Sequence, residues 1–240
     1  MTAVPPACAV DERRFATAQA QAEALADAVA SQLREAVAKR GVASLAVSGG
    51  RSPIAFFEHL RMQPLPWEQV TVTLVDERCV AASHADSNAR LVREHLLQDR
   101  AGGAAFIDWL EGVDEPESLT PSALVDEAQA RLQGLHWPLD VAVLGMGEDG
   151  HTASWFPDSP GLAVALAVSE PVTWVRPAQA PHLRLTLTLN AMLACRQRHL
   201  SIAGQVKQQV FAAARQGVAT DKPIHTLLAR AASLQAWISD

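Results

Sequence analysis

Short apolar runs that end in polar or glycine-rich loops recur along this chain. Val141-Ala-Val-Leu144 runs into Gly145-Met-Gly-Glu-Asp-Gly-His-Thr152, Leu45-Ala-Val47 feeds Ser48-Gly-Gly-Arg-Ser-Pro53, Val70–Val75 leads into Asp76-Glu-Arg78, and His199–Ala203 leads into Gly204-Gln-Val-Lys207. Runs of this length suit strands covered on both faces by helices. Between them the period changes. A long alanine-rich helix is expected from about Arg13 to Lys39, capped by Asp11, striped by Phe15, Leu25, Val29, Leu33 and Val37, and ended by Gly41. Further helices are expected over Ile54–Arg61, Asn88–Leu97 and Ser122–Gln133, and from the Gly204 loop to about Arg215.

The stretch Gln98–Pro121 is rich in Gly, Pro and acids and reads as surface loop around a short strand at Phe106–Leu110. Ala163–Val168, Val172–Val175 and Arg184–Leu189 read as extended and suited to antiparallel pairing. Ile224–Ile238 mixes a helix with a closing strand. Strand, turn and helix repeat at least four times, which predicts right-handed crossovers and a largely parallel sheet. The expected fold class is therefore α/β, with helices flanking that sheet, one domain over residues 1–240, and a small antiparallel excursion around residues 163–190.

Composition narrows the function classes. The chain of 240 residues is 49% hydrophobic, enough for a sizeable core. No apolar segment approaches a membrane span, and the N-terminus lacks a basic start followed by an apolar signal core, so a cytoplasmic location and no membrane partner are expected. Cys8, Cys79 and Cys195 are odd in number and widely spaced, which indicates reduced thiols and no disulfide framework. A formal charge of −6 without a basic stripe argues against nucleic acid. A phosphate must then be held by local donors.

The loops supply such donors. Gly49 and Gly50 free the backbone ahead of a helix start at which Ser52 is a suitable N-cap and Pro53 a suitable first residue, so unpaired N–H groups and the helix dipole favour an anion. The P-loop ending and the GxGxxG of dinucleotide folds are both missing, so neither ATP nor NAD is implied. Lys207 brings an ammonium to another helix start. On the extended segment Asp76 and Arg78 share a face while Glu77 points away; Arg78 is placed either to bind an anion or to form a structural ion pair. Asp149 and His151 lie in the loop after the Val141 strand, where open α/β sheets form active sites. No HxH, HExxH or CxxC spacing suggests a metal, and no Gly-x-Ser-x-Gly elbow suggests a serine esterase.

Taken together, Ser48-Gly-Gly-Arg-Ser-Pro53, Asp76-Glu-Arg78 with Ser87-Asn88 downstream, Gly145-Met-Gly-Glu-Asp-Gly-His-Thr-Ala-Ser154 with Phe156-Pro157, and Arg184-Leu-Thr-Leu-Thr188 resemble the 6-phosphogluconolactonase family. The match runs in order over roughly residues 15 to 240. The resemblance implies a modified Rossmann-like fold shared with glucosamine-6-phosphate deaminases, hydrolysis of a sugar-phosphate lactone in the oxidative pentose phosphate pathway, and no cofactor. It implies catalytic roles for His151, Arg78 and Asp149, with His151 as general base toward water. It assigns substrate or phosphate contacts to Ser48, Gly49, Gly50, Ser52, Asp76, Arg184 and Lys207. Arg51 replaces the Ser or Thr common after the two glycines, so it either adds a phosphate contact or faces solvent, and Trp155 replaces a smaller apolar residue.

Two other readings differ in what they need. An amino-sugar-phosphate deaminase or isomerase continues from Asp-Gly-His into Phe-Asn-Glu-Pro, whereas here Phe156 stands where the carboxylate belongs, five positions after His151. A non-catalytic sugar-phosphate sensor that regulates transcription needs a DNA-binding segment, yet only one helix is expected before Leu45. A monomer is favoured.

Overall fold

The computed structural model describes residues 8–240. Seven strands form one parallel sheet: β1 (Ala9–Phe15), β2 (Ala43–Val47), β3 (Val70–Leu74), β5 (Ala105–Phe106), β6 (Val141–Gly145), β9 (Gln197–Ala203) and β10 (Ser233–Ser239), in the order β1-β10-β9-β6-β2-β3-β5. Three others, β4 (Asp76–Arg78), β7 (Val172–Val175) and β8 (Arg184–Leu187), make a small antiparallel sheet in the order β4-β8-β7. Every residue of β2 is buried, as is all of β6 except Gly145, the solvent-free environment that continuous apolar runs anticipate.

The chain steps outward from β2 to β3 and β5, then returns to β6 on the other side of β2. Connections leaving the carboxyl ends of β2 and β6 therefore diverge, and a crevice opens between them. That topological switch point positions the site.

The helices are α1 (Ala18–Arg40), α2 (Ile54–Leu60), α3 (Asn88–His95), α4 (Pro121–Leu132), α5 (Leu162–Ala167), α6 (Leu189–Ala194), α7 (Gln205–Arg215) and α8 (Pro223–Arg230). Leu25, Val29 and Leu33 of α1 are buried, and its last turn closes on Gly41 in the left-handed region, whose N–H donates to the Val37 carbonyl at 2.7 Å. No helix among the described residues is long and apolar enough to cross a membrane.

Several elements differ from the sequence expectation. Asp11 caps nothing. Residues Ala9–Phe15 form an edge strand paired in parallel with β10, and α1 starts later, at Thr17, whose Oγ1 accepts from the Ala20 N–H at 3.1 Å. The partner strand lies at the far end of the chain, so no local pattern announces it. Ala163–Val168, expected as extended, is mostly α5; five of the six residues of that helix are Ala or Leu, good helix formers. The strand at Phe106 is two residues long, because β5 pairs with β3 only through Ala105 and Phe106. The antiparallel sheet also recruits β4, a segment read only as the end of the second strand.

Candidate active site

A cavity of about 590 Å³ lies at the carboxyl edge of β2, β6 and β9. Of the residues singled out from sequence, Ser48, Gly49, Gly50, Ser52, Asp76, Arg78, His151, Arg184 and Lys207 line it. Arg51 is exposed and does not, and Asp149 stands behind His151 without lining the cavity. α2 begins at Ile54 as expected, but Ser52 makes no cap bond and Pro53 itself stands at the cap position.

The loop after β6 is built around the imidazole. Asp149 Oδ1 accepts from the His151 N–H at 3.1 Å and lies 2.6 Å from His151 Nδ1. Burial works to raise the Asp149 carboxyl, but the hydrogen bond and charge of His151 and two backbone N–H groups outweigh it and hold the group below its ordinary value. An ionised carboxylate only accepts, so Nδ1 carries the proton and Nε2 keeps a lone pair in the neutral ring. Phe156 lies against the imidazole, ring centroids 4.3 Å apart. Gly147 closes the loop, donating to the His151 carbonyl at 2.9 Å; a Cβ there would come within 2.3 Å of His151 Cε1 and Nδ1 and 2.5 Å of Asp149 Oδ1. Only glycine lets the backbone pass this close to the pair.

A further part of the lining comes from the antiparallel sheet, whose register sets Arg78 of β4 directly beside Arg184 of β8. Burial first, then the Arg78 charge, pulls the Arg184 guanidinium below its ordinary value. Arg78 Nη1 donates to the Asp86 carbonyl at 2.6 Å, while Nε of both arginines is buried without a protein acceptor. Arg78, Arg184 and Lys207 form no ion pair among the described residues, which removes the structural ion-pair reading of Arg78. Like charges held together with no carboxylate within ion-pair distance are an arrangement suited to an anionic ligand.

Asp76 and Glu77 diverge as the extended segment requires. Asp76 Oδ2 accepts from Ser154 Oγ at 2.6 Å beside the cavity. Glu77 turns inward and accepts from the backbone N–H groups of Arg78, Asn88 and Ala89 at 2.6, 2.8 and 2.7 Å, tying β4 to the start of α3. Burial pushes this carboxyl up to about 7 against the pull of those three bonds.

Sequence reasoning gave no site role to Asn88 or Phe156, both of which line the cavity. Asn88 donates through Nδ2 to the Asp76 carbonyl at 2.7 Å and packs its other amide atom where a Cβ of Gly49 would sit, at 1.7 Å. Its signal was its place at a helix start, after Ser87. Phe156 was read only for the carboxylate it displaces, and nothing in the sequence shows its ring on His151.

The glucosamine-6-phosphate isomerase/6-phosphogluconolactonase family model matches residues 16–237. The chain belongs to this family. The 6-phosphogluconolactonase of Neisseria meningitidis serogroup B is 45% identical over 216 residues, spanning 89% of this chain and 92% of that protein. The Pseudomonas aeruginosa 6-phosphogluconolactonase is 46% identical over 203 residues, 83% of each. The crystal structure of a 6-phosphogluconolactonase from Shewanella baltica superposes with a TM-score of 0.90 at 42% identity, over 96% of this chain and 98% of that one. Within this family the cavity at the β2/β6 switch point is the site whose chemistry requires explanation.

Proposed function

We propose that this protein hydrolyses 6-phospho-D-glucono-1,5-lactone to 6-phospho-D-gluconate, the step named by its relatives and set within the oxidative pentose phosphate pathway. The observation that carries the assignment of the base is the Asp149–His151 pair, 2.6 Å between Oδ1 and Nδ1, in a cavity that also gathers three cations. His151 Nε2 takes a proton from water as the water oxygen attacks the lactone carbonyl carbon. The imidazolium, stabilised by Asp149, then returns that proton to the departing ring oxygen, so the ring opens with no covalent enzyme intermediate. Positioned proton transfer of this kind contributes about 10²- to 10⁴-fold in rate.

The cations divide the remaining work. Lys207 and the N–H groups of the Gly49–Gly50 loop hold the phosphate, and the Arg78–Arg184 pair, facing the imidazole loop, binds the sugar acid and offsets charge developing on the carbonyl oxygen. Asp76, held by the Ser154 hydroxyl, fixes a sugar hydroxyl. A cytoplasmic monomer is the form we expect. Phe156 supports the lactonase over the aminosugar deaminase, because an apolar ring packs on His151 where that chemistry calls for a carboxylate.

The test is lactone generated in place by glucose-6-phosphate dehydrogenase, with its disappearance followed against an enzyme-free control. Wild type accelerates the loss; folded His151→Ala drops kcat by about 10²-fold or more with KM little changed. Near-wild-type turnover by that variant would remove His151 as the base, and no acceleration by wild type would remove the activity.

A further inference from the structure

Outside the catalytic cavity, the fold gathers a second set of chemistry-bearing side chains that sequence spacing conceals. His84 and Asp86 lie between β4 and α3, and His182 lies 96 residues beyond Asp86, just before β8. One donor atom from each falls within 4.8 Å of the others. His182 Nε2 is 2.9 Å from Asp86 Oδ2, and His84 Nδ1 is 3.9 Å from the same oxygen. Ligands on a tetrahedral zinc-class ion stand about 3.4 Å apart, given metal–ligand bonds near 2.1 Å. The observed separations bracket that value, so small side-chain rotations suffice.

The geometry already brings the donors to one place. His84 Nδ1 accepts from the Asp86 N–H at 3.0 Å, so its lone pair is directed toward Asp86. The two rings meet edge to face at 5.3 Å, converging on the carboxylate. His182 adopts φ +70°, a left-handed conformation uncommon for a residue with a Cβ. The cluster remains reachable from solvent, with side chains 45%, 50% and 25% exposed for His84, Asp86 and His182.

We propose that His84, Asp86 and His182 form a binding site for one divalent first-row transition-metal ion, zinc or a neighbour, with water completing the coordination. Two imidazoles and one carboxylate are the donor set such ions prefer over magnesium or calcium, which take oxygen ligands. The ion displaces the His182–Asp86 hydrogen bond and the N–H contact of His84. It would act on the catalytic wall through the Asp86 carbonyl, which accepts from Arg78 Nη1. The site is therefore a positioning device for a cavity residue and takes no part in bond breaking.

Titration of the metal-freed full chain with Zn²⁺ by calorimetry, and with Co²⁺ by visible absorption, tests this. Expected are one ion per chain and Co²⁺ bands of imidazole-containing coordination. His84→Ala and His182→Ala, which lie on separate segments, each weaken binding at least roughly tenfold, because losing even a residue behind a metal ligand costs that much. His151→Ala, which removes the catalytic imidazole, leaves the binding unchanged. Absence of saturable binding, binding unaltered in both cluster variants, or loss confined to His151→Ala each overturns the proposal. Circular dichroism of the metal-free variants shows that they are folded, and lactone hydrolysis measured separately keeps this result distinct from the proposed activity.

Discussion

His199→Asn isolates one titration on which the stability of the fold depends. His199 is fully buried on β9, its Nδ1 accepting from the Trp237 indole N–H at 2.9 Å and its Nε2 lying 2.7 Å from Gln32 Oε1. An indole nitrogen can only donate, so Nδ1 has no room for a proton and the neutral ring is fixed. Burial, with a smaller contribution from the Arg13 charge, lowers the group from 6.5 to about 3. When the unfolded chain releases the ring to water, it takes up a proton first as pH falls. The stabilisation is therefore complete above 6.5 and is lost progressively as pH falls from 6.5 toward 3. At pH 5 the unfolded state gains about 1.5 pH units of protonation free energy, or about 2 kcal/mol, relative to the folded state.

Wild-type stability alone does not isolate this, because Glu77 runs the other way. Its carboxyl is raised from 4.5 to about 7 in the fold, so the unfolded state sheds that proton first and stability falls as pH rises between those values. The decisive quantity is the difference between two proteins. Urea unfolding of wild type and His199→Asn at pH 7 and pH 5 should show wild type losing about 2 kcal/mol more over that interval than the variant. Equal pH dependence in both would refute the reasoning, as would an imidazole resonance assigned to His199 that titrates near neutrality in the wild-type protein.

Three other perturbations separate positioning from folding. Asp149→Ala releases Nδ1 of the base, and kcat should fall about 10- to 100-fold while KM stays near wild type, read in the coupled lactone assay; an equal loss confined to KM would assign Asp149 to binding. Gly147→Ala drives a Cβ into the His151–Asp149 pair, so turnover should drop about 10²-fold while the melting temperature moves little; full activity would show that the loop tolerates the shift. Glu77→Ala orphans three backbone N–H groups and should cost about 3 kcal/mol or more in urea unfolding; a change under about 0.5 kcal/mol would mean that water replaces the carboxylate fully.

How far the fold could be read depended on whether each element carries its own partner. The buried runs of β2 and β6, the closing Gly41 and the Thr and Leu alternation of β8 are local statements, and each is visible in a window of a few residues. β1 is not. Its sequence, Ala-Val-Asp-Glu-Arg-Arg-Phe, carries the charges of a solvated edge, and only β10, drawn alongside by the crossover of the whole chain, makes it a strand. Likewise α5 is six residues long, too short for its period to stand out from an extended run of Ala, Val and Leu.

The cavity divides along the same line. Each loop advertises itself by glycine, charge or a lone histidine, and the parallel sheet delivers their ends to one edge whatever the loops contain. The pairing of the two arginines on one wall has a different origin: Arg78 lies beside Arg184 because β4 leaves the parallel sheet and pairs antiparallel with β8, a pairing between segments of which neither names the other. Without that pairing the guanidinium of Arg184 would have no second cation beside it, and the depression of its proton affinity would rest on burial alone. The juxtaposition on which the proposed anion binding rests is thus a property of topology. Moving either arginine by one residue along its strand turns it to the other face of the small sheet while leaving composition and net charge unchanged.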